Sequence, residues 1–202
     1  MWKRTVAEKE IGVLYALFLL CSLIGWVFET LYYIAIGRGL LDRGFLSLPL
    51  CPVYGLACVL AYLCFGLPHR PRFFARSLKR ASNAVSRLWH ALFYIAGGAL
   101  AAVLCELASG ALMHGLFSVR LWDYSNLRVH FYGYVSLSFG LAFGILMLLF
   151  MRFAFPLLLR AVCAVRRRDL YAVLVTVSLF LLCDVSMNCT YAYVKGAHLS
   201  LF

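Results

Sequence analysis

Charge is scarce in this chain. Of 202 residues only 13% are Asp, Glu, Lys or Arg, and only eight are acidic. Soluble domains carry about a quarter charged residues, so a soluble globular class is excluded first. Long polar segments are also missing: the stretches between apolar runs reach only about twenty residues, too few for a core of their own. No G-x-x-x-x-G-K-[S/T] segment occurs, which excludes ATP hydrolysis by a P-loop within this chain. The eight cysteines form no C-x-x-C, and no His/Cys/acid spacing suits a zinc site. Leu107-Ala108-Ser109-Gly110 lacks the first glycine of a G-x-S-G hydrolase motif. No catalytic residue, metal ligand or cofactor is therefore assigned, and the expectation is a protein without enzymatic activity.

Apolar residues fill the space: 64% of the chain is hydrophobic, with a mean hydropathy of +0.89. The runs predict an all-α polytopic membrane helix bundle, one integral-membrane domain over 1–202, with about five spans at 11–36, 49–67, 88–117, 131–151 and 170–194. Met1-Trp2-Lys3-Arg4 resembles a signal-peptide n-region, but the following run is too long and ends at Glu29, so it reads as a retained span. The N-terminal tail and the basic linkers 68–87 and 152–169 hold fourteen of the nineteen Lys and Arg residues; the other side holds five. By the positive-inside rule the N-terminus lies in the cytoplasm and the C-terminus outside. The net charge of +11 thus reads as a topology signal and a contact for anionic lipid, not as a nucleic-acid surface. Cys51 and Cys189 both fall towards the outer side, close enough in depth for a disulfide.

The acids fall in a pattern. Glu29, Glu106 and Asp184 sit in the first, third and fifth spans, and the other two spans have none. At 1.5 Å per residue they lie roughly 27, 27 and 21 Å from their cytoplasmic ends, in the outer half of the bilayer. A carboxylate at mid-bilayer costs about 2.5–3.5 kcal/mol on insertion scales, so these groups should face the bundle interior with a partner. Two readings stand side by side: a structural ion pair with an outer arginine such as Arg43, and a ligand- or ion-binding site. Asp184, Asn188, Tyr191 and Lys195 form one stripe of the last helix, while Ser22, Gly25, Trp26, Glu29 and Tyr33 share a face of the first. Trp26 and Trp122 also suit an interfacial aromatic belt, and Asp123 and Ser125 suit turn or cap roles. The candidate binding residues are Glu29, Glu106, Asp184, Asn188, Arg43, Trp26, Trp122, Asp123 and Tyr124.

Four segments carry a resemblance: Ile24-Gly25-Trp26-Val27-Phe28-Glu29; Arg43-Gly44-Phe45-Leu46 through Cys51-Pro52-Val53-Tyr54-Gly55; Glu106-Leu107-Ala108-Ser109-Gly110; and Trp122-Asp123-Tyr124-Ser125. In this order the chain resembles the bacterial proteins grouped as putative ABC-transporter type IV permeases. Leu48, His130 and Phe143 stand where that pattern usually has glycine, asparagine and tryptophan. The resemblance implies a membrane component of a transport system in the bacterial inner or plasma membrane, binding a small or lipid-derived solute from the outer side. Its partners would be the bilayer, a cytoplasmic ATPase docked on linkers 68–87 and 152–169, and further copies of itself. The competing expectation is a non-transport envelope protein that binds or senses lipid or an envelope precursor.

Overall fold

The computed structural model describes residues 10–37, 39, 45–73, 76–77 and 83–195. Arg43 therefore lies outside the described residues. The described chain is mostly helical: α1 (Glu10–Ala35), α2 (Pro52–Phe65), α3 (Ala84–Phe117), α4 (Leu137–Phe153), α5 (Phe155–Ala164) and α6 (Arg167–Lys195). Short antiparallel strands join them. β1 (Gly66–Leu67), β2 (Arg70–Phe73) and β3 (Arg76–Ser77) follow α2, and β4 (His130–Phe131) pairs with β5 (Val135–Ser136) ahead of α4.

Among the described residues three helices are long and apolar enough to cross a membrane: Ile11–Ala35, Ala84–Phe117 and Arg167–Lys195. The pair α4 and α5, bent by 43°, makes a fourth if it is one span. Pro156 in the first turn of α5 supplies the bend, because it removes a backbone donor and crowds the preceding turn. The linker expected over 152–169 is thus largely helical. The span expected over 49–67 contains a helix of only 14 residues, roughly 21 Å long against a hydrocarbon core of about 30 Å. The first three residues of that stretch are not helical: the Leu50 amide turns back to the Leu48 carbonyl, and the Cys51 amide donates to the Ser22 carbonyl at 3.0 Å. Its last two form β1, where Gly66 takes a φ of +70° that ends the helix. Residues 131–136, expected to open the fourth span, instead form the β4–β5 turn, with Tyr132 and Gly133 at positive φ. α3 begins earlier than expected, at Ala84. Asn83 Oδ1 accepts from the Ser86 amide at 2.8 Å and Ser86 Oγ accepts from the Asn83 amide at 3.2 Å, a reciprocal cap.

The chain divides into two compact units. The first is built on α1, the 45–55 segment, residues 113–121 and the chain from Leu158 through α6. In it α1 and α6 run parallel: the Tyr171 ring covers Gly12, and Tyr15 hydroxyl meets Ser178 Oγ at 2.8 Å, three residues and seven residues further along. Leu17, Cys21 and Ser22 are its most deeply buried side chains on α1. The second unit holds the rest of α2, most of α3 and all of α4. There Gly98 packs on Met147 and Gly140 on Val103, so α3 and α4 run antiparallel. Cys58 touches Met147 and the Tyr62 ring touches Phe155, so α2 runs parallel to α4. Small residues permit this approach: a Cβ on Gly144 would come within 2.5 Å of the Ile95 carbonyl oxygen.

Large apolar side chains cover the outside. Leu100, Leu104, Leu112 and Leu116 on α3, and Leu179, Phe180 and Leu182 on α6, are all exposed. Aqueous monomers rarely expose so many large apolar side chains, whereas lipid tails solvate them without penalty.

Candidate functional site

Each acid on a membrane helix is tied to a loop. In the first unit Asp184, on α6, is buried and accepts from the backbone amides of Ser47 at 3.3 Å and Leu48 at 3.2 Å. Asn188, one turn further on the same face, is fully buried and donates to Asp184 Oδ1 at 3.1 Å, Ser47 Oγ at 3.1 Å and the Asp184 carbonyl at 3.0 Å. No basic side chain pairs with Asp184 among the described residues, where three N–H groups donate to its carboxylate. The amide oxygen of Asn188 accepts no hydrogen bond.

The same 45–55 segment meets α1 on its other side. Cys51 donates from Sγ to Glu29 Oε2 at 3.6 Å, while its amide reaches the Ser22 carbonyl. Tyr54 lies over Gly25, and Gly55 sits against Ser22 Oγ and the Phe18 carbonyl, contacts that a larger side chain at either glycine would destroy. Phe45 stacks on Phe117 with centroids 5.8 Å apart. Eighteen residues, or about five turns, separate Thr30 from Gly12, so Thr30 shares the α6-facing side of α1. Its buried hydroxyl also lacks a hydrogen-bond partner.

In the second unit Glu106 is buried on α3, and its Oε1 accepts from the Tyr124 hydroxyl at 3.0 Å. The loop bearing Tyr124 is fixed by its neighbours. Trp122 Nε1 donates to the Tyr134 carbonyl at 2.8 Å, the Tyr124 amide donates to the Gly133 carbonyl at 2.9 Å, and the Tyr124 ring stacks on Phe139 at 5.0 Å. Gly110, one turn beyond Glu106, leaves room for the Tyr134 and Trp122 rings. Asp123 is exposed, and its Oδ1 accepts from the Ser125 amide at 2.9 Å, so it performs the turn role open to it.

The structure thus brings Asp184 to Asn188 and Glu106 to Tyr124. Trp26 is half-buried one turn before Glu29, Tyr191 is half-buried and Lys195 is exposed. No disulfide joins Cys51 to Cys189, because the Cys51 thiol faces Glu29. Ser47, Leu48 and Cys51 were missed as partners of the acids. Two of the three act through backbone amides, which carry no side-chain signal.

The segments 24–29, 45–55, 106–110 and 122–125 build these polar nodes together with Asp184 and Asn188 of α6, and a family model extends over residues 16–189. The chain belongs to the family described as putative ABC-transporter type IV. No curated protein and no solved structure matches it. Within the family match lie all three helix acids and every loop residue that contacts them. Among the described residues no group of three His, Cys, Asp or Glu side chains has metal-binding geometry.

Proposed function

We propose that this chain is the membrane component of a transport system, binding a small or lipid-derived solute from the outer side, with Glu29, Glu106 and Asp184 as candidate binding residues. The observation that carries the reading is that all three acids sit on long apolar helices yet contact loop residues rather than lipid. Membership of an ABC-transporter-related family supports transport over a purely structural role. Trp122 and Tyr124 supply flat aromatic surface beside Glu106, suited to the apolar part of such a solute.

Five crossings with the N-terminus inside accord with the fourteen-to-five distribution of basic residues. The parallel packing of α1 and α6 supports this count. Parallel ends suit an odd number of crossings between them, such as the three that α2, α3 and α4 would make. An ATPase would then dock on the cytoplasmic linkers, where Arg70, Arg160, Arg166, Arg167 and Arg168 are exposed.

Glu29→Gln and Glu106→Gln test the proposal. Each is expected to abolish uptake or ligand binding while the protein stays folded, Glu29→Gln with a Tm close to the parent's and Glu106→Gln with the loss of about 1–1.5 kcal/mol that weakening its bond to Tyr124 implies. Variants that unfold would point to a structural network instead, and unchanged uptake in folded variants would refute the site.

A further inference from the structure

We propose that Asp184, Asn188 and Ser47 form a binding site for a monovalent cation, with sodium the ion of choice. The argument starts from charge. Asp184 is a buried carboxylate on a membrane helix, and among the described residues it has no cationic partner. Three N–H donors reduce the cost of its charge without cancelling it.

The second observation is independent of the acid. Asn188 is 0% exposed, and its Oδ1 accepts no hydrogen bond. Amide geometry holds Oδ1 within about 2.3 Å of Nδ2, which is bonded to Asp184 Oδ1 and Ser47 Oγ, so the orphan oxygen belongs to the same cluster. Turning the amide over would set Oδ1 against the Asp184 carboxylate and its own helix carbonyl, acceptor against acceptor. The network therefore fixes an unsatisfied acceptor beside a carboxylate that has no cationic partner among the described residues.

Carboxylate, amide and hydroxyl oxygens are hard ligands that suit alkali and alkaline-earth ions. A single carboxylate matches a single positive charge, whereas calcium sites gather several carboxylates. A sodium ion would satisfy Asn188 Oδ1 and neutralise Asp184 together. It would also strengthen the hold of α6 on the Ser47–Leu48 loop, because both ends of that contact would ligate the ion. The inference rests on the transport reading only in taking Asp184 to lie within the bilayer.

Thermal unfolding of the purified full-length chain in mild detergent tests it, with sodium chloride titrated against choline chloride at constant ionic strength. Sodium is expected to raise Tm saturably, by roughly 5–10 °C at a hundredfold excess over Kd, and choline is not. Asp184→Asn keeps the size of the side chain and should remove the sodium response. Should that variant fail to fold, Asn188→Asp adds a second carboxylate and should move the sodium midpoint to lower concentration. Equal Tm in sodium and choline would overturn the site and leave a buried water on Asn188. A Tm that follows pH and ignores sodium would assign a proton to Asp184 and overturn it too. So would a sodium response that survives Asp184→Asn, or a midpoint that Asn188→Asp leaves unmoved. The assay contains neither solute nor ATPase, so failure of the ion site and failure of the transport reading are told apart.

Discussion

Replacing Tyr124 by phenylalanine removes one hydroxyl and leaves the ring where it stacks on Phe139. The hydroxyl donates to Glu106 Oε1 at 3.0 Å, and Glu106 is buried. A hydrogen bond to a charged group contributes about 1.5–3 kcal/mol. For a chain of about this size each kcal/mol moves Tm by roughly 2–4 °C, so Tyr124→Phe should lower Tm by about 3–12 °C. The double-mutant cycle supplies the finer test. Glu106→Gln keeps an acceptor without the charge, so in that background Tyr124→Phe should cost only about 0.5–1.5 kcal/mol. In a Glu106→Ala background this acceptor is gone, and the cost should be smaller still. Differential scanning fluorimetry in one detergent, read across the five variants, gives the coupling directly. Equal losses in all three backgrounds would show that the hydroxyl acts elsewhere, and no loss in the parent would refute the bond as a contributor to stability.

Two glycines make an opposed pair. Gly144→Ala would bring a methyl within 2.5 Å of the Ile95 carbonyl and 2.9 Å of Ala99 Cβ, and should destabilise by about 1–3 kcal/mol in thermal unfolding. Gly115→Ala, on α3 with open space around it, should stabilise by roughly 0.5–1 kcal/mol in the same assay. Trp122→Phe removes the donor to the Tyr134 carbonyl and should cost about 0.5–1.5 kcal/mol, with increased protease cleavage in the 122–134 loop as the local readout. Cysteines introduced singly at 166 and 123, in a background with the native cysteines replaced, should label from opposite sides of the membrane. Labelling of both from one side would refute the five-crossing topology.

The amino-acid sequence by itself determined the solvent of this protein. Sixty-four per cent apolar residues and a 13% charged fraction leave no aqueous fold open, because runs of this length match the thickness of a bilayer. It also marked the helix acids, because carboxylates are so costly in hydrocarbon that their presence in three runs demands a reason. The family followed from short segments whose order is specific although each is weak, and two of them, 45–55 and 122–125, fold onto the helix acids.

Other features were decided only by tertiary structure. Hydropathy reads the uncharged stretch 49–67 as one span, because it cannot see that the Cys51 amide is drawn to the Ser22 carbonyl and that Gly66 turns the chain left-handed. Phe131–Ser136 is apolar enough to look helical; pairing with its own hairpin makes it strand. Charge is what a sequence displays, so Arg43 stands out as a partner for the helix acids, and it lies outside the described residues. The Ser47 and Leu48 amides that reach Asp184 are donors that every residue but proline carries, and only the path of the chain decides where they point.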